Sequence, residues 1–188
     1  MKVTQPIRDK KQVKKIVTYY KSIGEFRNWV LVTLCVHTAL RISDILNLKT
    51  EDVYDFEKKK VRTSINIKEI KTGKSKEIAL HPNIVYSLEK YMDKTSKGQA
   101  LILNSNTNKA ISRVQAYRLI RDAAQAVEIE NNVSCHSLRK TFGYHAWKNG
   151  VSPAVLMEIY NHSSLSITRR YLGVCQDDKN AVYIGFKY

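Results

Sequence analysis

No stretch of the 188 residues approaches the ~18–20 consecutive apolar residues of a membrane span, and the charged opening MKVTQPIRDKKQVKK leads into no apolar export core. An embedded or exported chain is therefore not expected, and the cytosol is the expected compartment. Cysteine is scarce as well. Cys35, Cys135 and Cys175 are odd in number and form no C-x-x-C pair, which argues against a disulfide framework and a zinc site. With only 3 prolines and 7 glycines, no linker, repeat or low-complexity tract divides the sequence, so one compact domain is predicted. Acidic residues are few: 17 against 32 Lys and Arg leave a net charge of +15, with a pI of 9.7. Such a surface favours a polyanion, and nucleic acid is the expected partner class. A membrane surface would require an amphipathic basic helix or a lipidation signal, and the sequence shows neither.

What is present reads as mainly α with a small antiparallel β-hairpin or three-stranded sheet. The first 25 residues form a basic segment, expected to be a flexible arm. From Phe26 to Leu40, Trp29, Val30, Leu31, Val32, Leu34, Cys35 and Val36 cover nearly every side of a helix, as in one buried centrally. Ser43 is the expected cap of a short second helix carrying Ile45, Leu46 and Leu48. The period then changes: Val61, Thr63, Ile65 and Ile67 alternate with polar residues, and Thr72-Gly73-Lys74 turns the chain into a strand ending at Ala79-Leu80. Helical spacing resumes at Ile84, Val85, Leu88, Tyr91 and Met92, and Leu101-Ile102-Leu103 is a candidate third strand. Ser112, Ser152 and Ser164 are the expected caps of later helices, with a further helix from His136 to Asn149 that stops at Gly150.

Five short stretches bear polar groups that helix packing alone would not select. Arg41 follows the buried helix, in TALRISD, where an ion pair with Asp44 is the plain structural alternative. Lys71 lies at the hairpin tip, with Lys68, Lys74 and Lys76 as competitors for any special role. His136 and Arg139, three apart in HSLR, share a helix face. His162 precedes the last capped helix, and Tyr171 lies within it, one tyrosine among 11.

Taken in order, TALRISDILNL, the KTG hairpin, HSLRKTFGYHAWKNG and NHSSLSITRRYLGV resemble the successive motifs of the tyrosine recombinases of the phage-integrase family, over about residues 25 to 175. Relatives often have LGH where this sequence has Tyr160-Asn161-His162, and HDLR or HGLR where it has HSLR; no catalytic side chain is replaced. The resemblance implies the tyrosine recombinase catalytic-domain fold over residues 26–175. It also implies a C-terminal tail, residues 176–188, whose Ala181, Val182, Ile184 and Phe186 need a surface to bury them. The separate DNA-clamping domain usual in the family has no room in residues 1–25, so a stand-alone catalytic module and a fragment are both open.

The implied catalytic set is Arg41, Lys71, His136, Arg139, His162 and Tyr171. A phosphodiester repels nucleophiles and has a poor alkoxide leaving group. Arg41 and Arg139 would hold its non-bridging oxygens, His162 would add a hydrogen bond, and Tyr171 would attack phosphorus. His136 would accept the phenolic proton, and Lys71 would protonate the departing 5′ oxygen. No cofactor, metal or ATP is implied. The implied partners are double-stranded DNA and other protomers in a synaptic complex, tetrameric on DNA and monomeric or weakly dimeric when free. Arg113, Gln115 and Arg118 are candidate base-reading residues, with a solvated helix face as the alternative. Two other outcomes share the motifs: a type IB topoisomerase-like relaxing enzyme, and a DNA-binding module that regulates a full-length relative.

Overall fold

The computed structural model describes residues 4–93, 95–129, 132–174, 180 and 183–185. The basic opening stretch is not a flexible arm from residue 4 onward. It contains helix α1 (Lys10–Ser22), started by Asp9, whose carboxylate accepts the Lys11 N–H. Ile16, Val17 and Tyr20 form a buried face with Val13 packed beside it, and the Tyr20 hydroxyl donates to the Leu119 carbonyl at 2.8 Å. The spacing of these four residues is helical, and the lysines take the solvent side.

Helix α2 (Phe26–His37) is the central element, buried from Asn28 to Val36 as its all-round apolar sequence predicts. Helix α1 packs on it, as do several later helices. The chain leaves α2 through Ala39, which adopts the left-handed φ of 55°, and enters α3 (Ile42–Asn47). The cap is Arg41, not the expected Ser43: the Arg41 carbonyl accepts from the Asp44 and Ile45 amides, so the helix starts two residues earlier. That start leaves the Arg41 side chain free for other contacts.

After α4 (Thr50–Val53), β1 (Tyr54–Asp55) pairs with β2 (Lys60–Val61), and the predicted hairpin follows as β3 (Ser64–Lys68) and β4 (Ser75–Ala79), antiparallel with Ile65 opposite Ile78. The expected alternation holds only in its second half, with Ile65 and Ile67 buried and Asn66 and Lys68 exposed; Val61 belongs to β2, and Thr63 is exposed between the strands. Helix α5 (Pro82–Met92) then packs on α2. The candidate third strand does not join the hairpin. Leu101 donates to the Leu48 carbonyl and Ile102 accepts from Ile111, while β5 (Leu103–Asn104) pairs only with β6 (Lys109–Ala110). Every ladder among the described residues is two-stranded.

Helices α6 (Arg113–Ala126), α7 (Cys135–Lys148), α8 (Pro153–Tyr160) and α9 (Leu165–Leu172) complete the fold. Ser112, Ser152 and Ser164 cap α6, α8 and α9 as expected, and Ser134 caps α7. Gly173, with φ 70°, ends α9. A small second core of Ala39, Leu156, Tyr160 and Leu172 joins α8 and α9 to α7. No helix among the described residues is long and apolar enough to cross a membrane.

Candidate active site

The six sequence-predicted residues come from five parts of the fold, and five of them converge where the second core meets the α2–α3 connection. Arg139 projects inward from α7 and is only 4% exposed. Its Nη1 donates to the Ala39 carbonyl, its Nη2 to the Tyr160 carbonyl at 3.3 Å, and its guanidinium lies 4.9 Å from the centre of the Tyr160 ring. The left-handed turn at Ala39, a conformation that costs roughly 1–3 kcal/mol outside glycine, supplies that carbonyl. Arg41 reaches the same Tyr160 carbonyl, Nη2 donating at 3.4 Å. Two guanidinium groups thus share one acceptor and converge.

Arg41 does not pair with Asp44. Its Nη1 donates to Glu69 at 2.8 Å, while Asp44 accepts the Ile70 amide at 3.0 Å. The reason is the start of α3: Arg41 as cap points across to the hairpin base, and Asp44 sits in the first turn below it.

His162 stacks on the Tyr160 ring at 5.2 Å, and its Nδ1 contacts the Thr168 hydroxyl at 3.0 Å. Burial lowers its pKa from 6.5 to about 4, helped by Arg139, Arg41, His136 and Lys71. Tyr171 lies edge-on to both histidines, 5.0 Å from each ring centre, with its hydroxyl 3.4 Å from Nδ1 of His136. Burial raises the Tyr171 phenol, against the pull of Arg139 and Arg41. His136 is lowered by burial and then by Lys140 and Arg139. Lys71 is the sixth residue, exposed in the hairpin turn and near enough to act on His162 through its charge.

The sequence reading missed three contributors. Tyr160 supplies the shared carbonyl and the stacking ring, and its hydroxyl donates to the Arg139 carbonyl at 2.8 Å. Lys140, 6% exposed, has its Nζ 5.3 Å from the Tyr171 ring centre and donates to the Thr4 carbonyl at 2.8 Å. Glu69 is fully buried; burial pushes its carboxyl up, but hydrogen bonds from Lys76, Thr72, Asn161 and Arg41 outweigh this and hold it at about 2. The Asn161 departure from LGH also has a physical reason. Asn161 ends α8 with φ 53°, a left-handed position that glycine suits and asparagine tolerates.

Among the described residues, no group of three or more His, Cys, Asp or Glu side chains could hold a metal ion. On α6, Arg113 and Arg118 are exposed, but the Gln115 side chain is engaged in the capping box with Ser112. Of the tail, Ile184 is 86% exposed, and Ala181, Val182 and Phe186 lie outside the described residues.

Residues 8–177 match the Phage integrase family. The chain is 36% identical over 183 residues to the probable integrase/recombinase YoeC of Bacillus subtilis (strain 168), covering 97% of each. It spans about half the length of several other curated relatives, which are named tyrosine recombinases. Among solved structures, its backbone is similar to the XerA recombinase, with a TM-score of 0.79 at 22% identity, over 99% of this chain and 68% of that one. It is also similar to the XerH site-specific recombinase bound to its palindromic difH substrate in a post-cleavage complex. There the TM-score is 0.75 at 18% identity, over 98% of this chain and 54% of that one.

Proposed function

The chain belongs to the phage integrase family, and on that premise we propose that it is a site-specific DNA recombinase that breaks and rejoins strands through Tyr171. The phenolic oxygen forms a bond to the scissile phosphorus, giving a 3′-phosphotyrosyl link and releasing a 5′ hydroxyl. A 5′ hydroxyl of another strand then attacks the same phosphorus and returns the proton to Tyr171, so the bond energy is conserved without ATP. Arg41 and Arg139 hold the non-bridging oxygens, His162 hydrogen-bonds the same phosphate, and His136 accepts the phenolic proton. Lys71, on its exposed turn, protonates the leaving 5′ oxygen.

The convergence of Arg41 and Arg139 on the Tyr160 carbonyl, beside Tyr171 and His162, carries this reading. Two permanent cations held this close together would favour a transition state richer in negative charge. The family and the names of the matched relatives favour a recombinase over a relaxing topoisomerase or a non-cleaving regulator.

The partners are double-stranded DNA and further protomers assembled on it, with the tail docking on a neighbour, and the compartment is the bacterial cytosol. Binding of DNA by the +15 chain should weaken steeply with salt. The test is a nicked suicide substrate of the element's own junction DNA. A covalent adduct mapped to Tyr171, and absent in Tyr171→Phe, is expected; DNA binding with no adduct at any junction would overturn the enzyme reading.

A further inference from the structure

We propose that Glu69 is a positioning residue of strand cleavage, a single buried carboxylate that holds Arg41, the Lys71 turn and the His162 loop in register. The proposal rests on the function given above. Its basis is one carboxylate and four side-chain donors. Oε2 accepts from Arg41 Nη1, Thr72 Oγ1 and Asn161 Nδ2, each at 2.8 Å, and Oε1 lies 2.9 Å from Lys76 Nζ. Lys76 in turn donates to the Ile159 carbonyl at 3.1 Å, tying the hairpin to the end of α8.

The backbone of Glu69 closes the same turn from below. Its N–H donates to the Lys74 carbonyl at 2.9 Å, and its carbonyl accepts the Gly73 amide at 2.8 Å, so Lys71 lies inside a loop that starts and ends on Glu69. Asn161 immediately precedes His162. Three segments that bear site residues are therefore joined through one side chain, although 28 and 92 residues of sequence separate Glu69 from Arg41 and Asn161.

A carboxylate beside a phosphate site works against the anion, so its presence needs a compensating role. Packing alone does not supply one, because an apolar side chain could fill the volume and would spare the burial of a charge. Only an acceptor fixes the roll of a guanidinium about its own axis. Glu69 takes one Nη1 proton and the Tyr160 carbonyl one Nη2 proton, which leaves the Nε proton and the second proton of each Nη for a ligand. Arg41 keeps its charge without Glu69, but not its direction.

The experiment measures single-turnover adduct formation at saturating DNA for the full chain, with Glu69→Ala, Glu69→Gln and Arg41→Ala. It uses two suicide substrates, one with the normal scissile phosphate and one with a neutral methylphosphonate there. Glu69→Ala should slow cleavage of the normal substrate by about 10²-fold, within the range for losing one preorganised donor. Glu69→Gln, whose Oε1 can keep Arg41, Thr72 and Asn161 and lose only Lys76, should fall in between. If Glu69 acts through Arg41, the defects of Glu69→Ala and Arg41→Ala should both shrink by about tenfold or more on the methylphosphonate, where there is no charge for Arg41 to neutralise.

Should Glu69→Ala not fold, the double variant Glu69→Met with Lys76→Met replaces the ion pair by apolar groups and frees Arg41, and it should show the same pattern. Wild-type rates in a folded variant, or a defect equal on both substrates, would overturn the proposal. Absence of any adduct from the unmodified chain would instead overturn the function on which it rests.

Discussion

The Tyr171 hydroxyl lies 3.4 Å from Nδ1 of His136, and the two rings stand at 90° with centres 5.0 Å apart. The contact is at the long end of hydrogen bonding, which would suit the proposed base and nucleophile if they tighten only on substrate. With Nδ1 as acceptor, the imidazole proton sits on Nε2. Replacement of His136 by Ala should therefore lower the rate of adduct formation by about 10²–10⁴-fold and leave DNA affinity nearly unchanged. Adduct gels paired with a binding isotherm test this, and a rate close to the parent's would remove His136 from the role of base.

The pH dependence has a definite sign. A base acts when neutral, and burial, Lys140 and Arg139 all hold the His136 pKa below its ordinary value of 6.5. The acid limb of the cleavage rate should accordingly fall below pH 6.5. Lys140→Met, which deletes one of those cations, should move the limb upward. A limb that stays in place in this variant would show that Lys140 does not tune His136.

His162 links pH to stability. Its folded pKa of about 4 lies below the ordinary 6.5, so the unfolded chain binds the proton more readily. The contribution is fully present above pH 6.5 and is lost as pH falls toward 4. His37, His136 and His145 are lowered too, so the parent's slope is shared among them. The informative quantity is a difference: the melting temperature of His162→Gln should fall less steeply than the parent's over this range in DNA-free protein. Parallel curves would refute the assignment.

Much of this arrangement was legible locally. The caps Ser112, Ser152 and Ser164 announce themselves through their spacing to apolar faces, and α2 through apolar residues on every side. The ordered Arg, Lys, His-x-x-Arg and His-to-Tyr motifs name six candidates, of which the fold brings five together. Long-range partners have no such mark: Arg41 meets Glu69 and Tyr160 across 28 and 119 residues. Glu69 nevertheless left one signal, since it shares the inward parity of Ile65 and Ile67. A charge that continues the inward face one residue past β3 needs a partner. Helix α1 was hidden by its lysines, although Val13, Ile16, Val17 and Tyr20 lie at helical spacing.

Gly143 on α7 has no special backbone angle, so its reason must be space. A methyl group there would run first into the Tyr160 hydroxyl, which donates to the Arg139 carbonyl, and would come 2.8 Å from Leu172 Cδ2 and 2.9 Å from Tyr160 Cε2. Alanine would gain about 1 kcal/mol of helix propensity, but overpacking typically costs about 1–3 kcal/mol. The strained neighbours are the ring under His162 and the residue after Tyr171, so the loss should reach the site. Gly143→Ala should destabilise the chain modestly in a denaturant titration and slow cleavage more than it weakens DNA binding. A more stable, fully active variant would contradict the packing.

Residues 4–8 lie across the back of α7. Lys140 donates to the Thr4 carbonyl, the Ile7 amide donates to Thr141 at 2.9 Å, and His145 Nε2 donates to the Ile7 carbonyl at 3.0 Å. Arg8 donates to the Gly173 carbonyl at 3.1 Å, so the strap also reaches the end of the helix that carries Tyr171. Ile7, 3% exposed, anchors it. Its replacement by Ala should cost about 2–5 kcal/mol, as for other buried large-to-small changes. The hydrogen bonds of the strap go to α7 and Gly173, so loss of amide protection in Ile7→Ala should be larger in α7 and α9 than in α5. Hydrogen exchange resolves the two cases. Equal loss in all three helices would mean that the strap adds only global stability, whereas a local loss with slowed cleavage would mean that it holds the helix of Tyr171 in place.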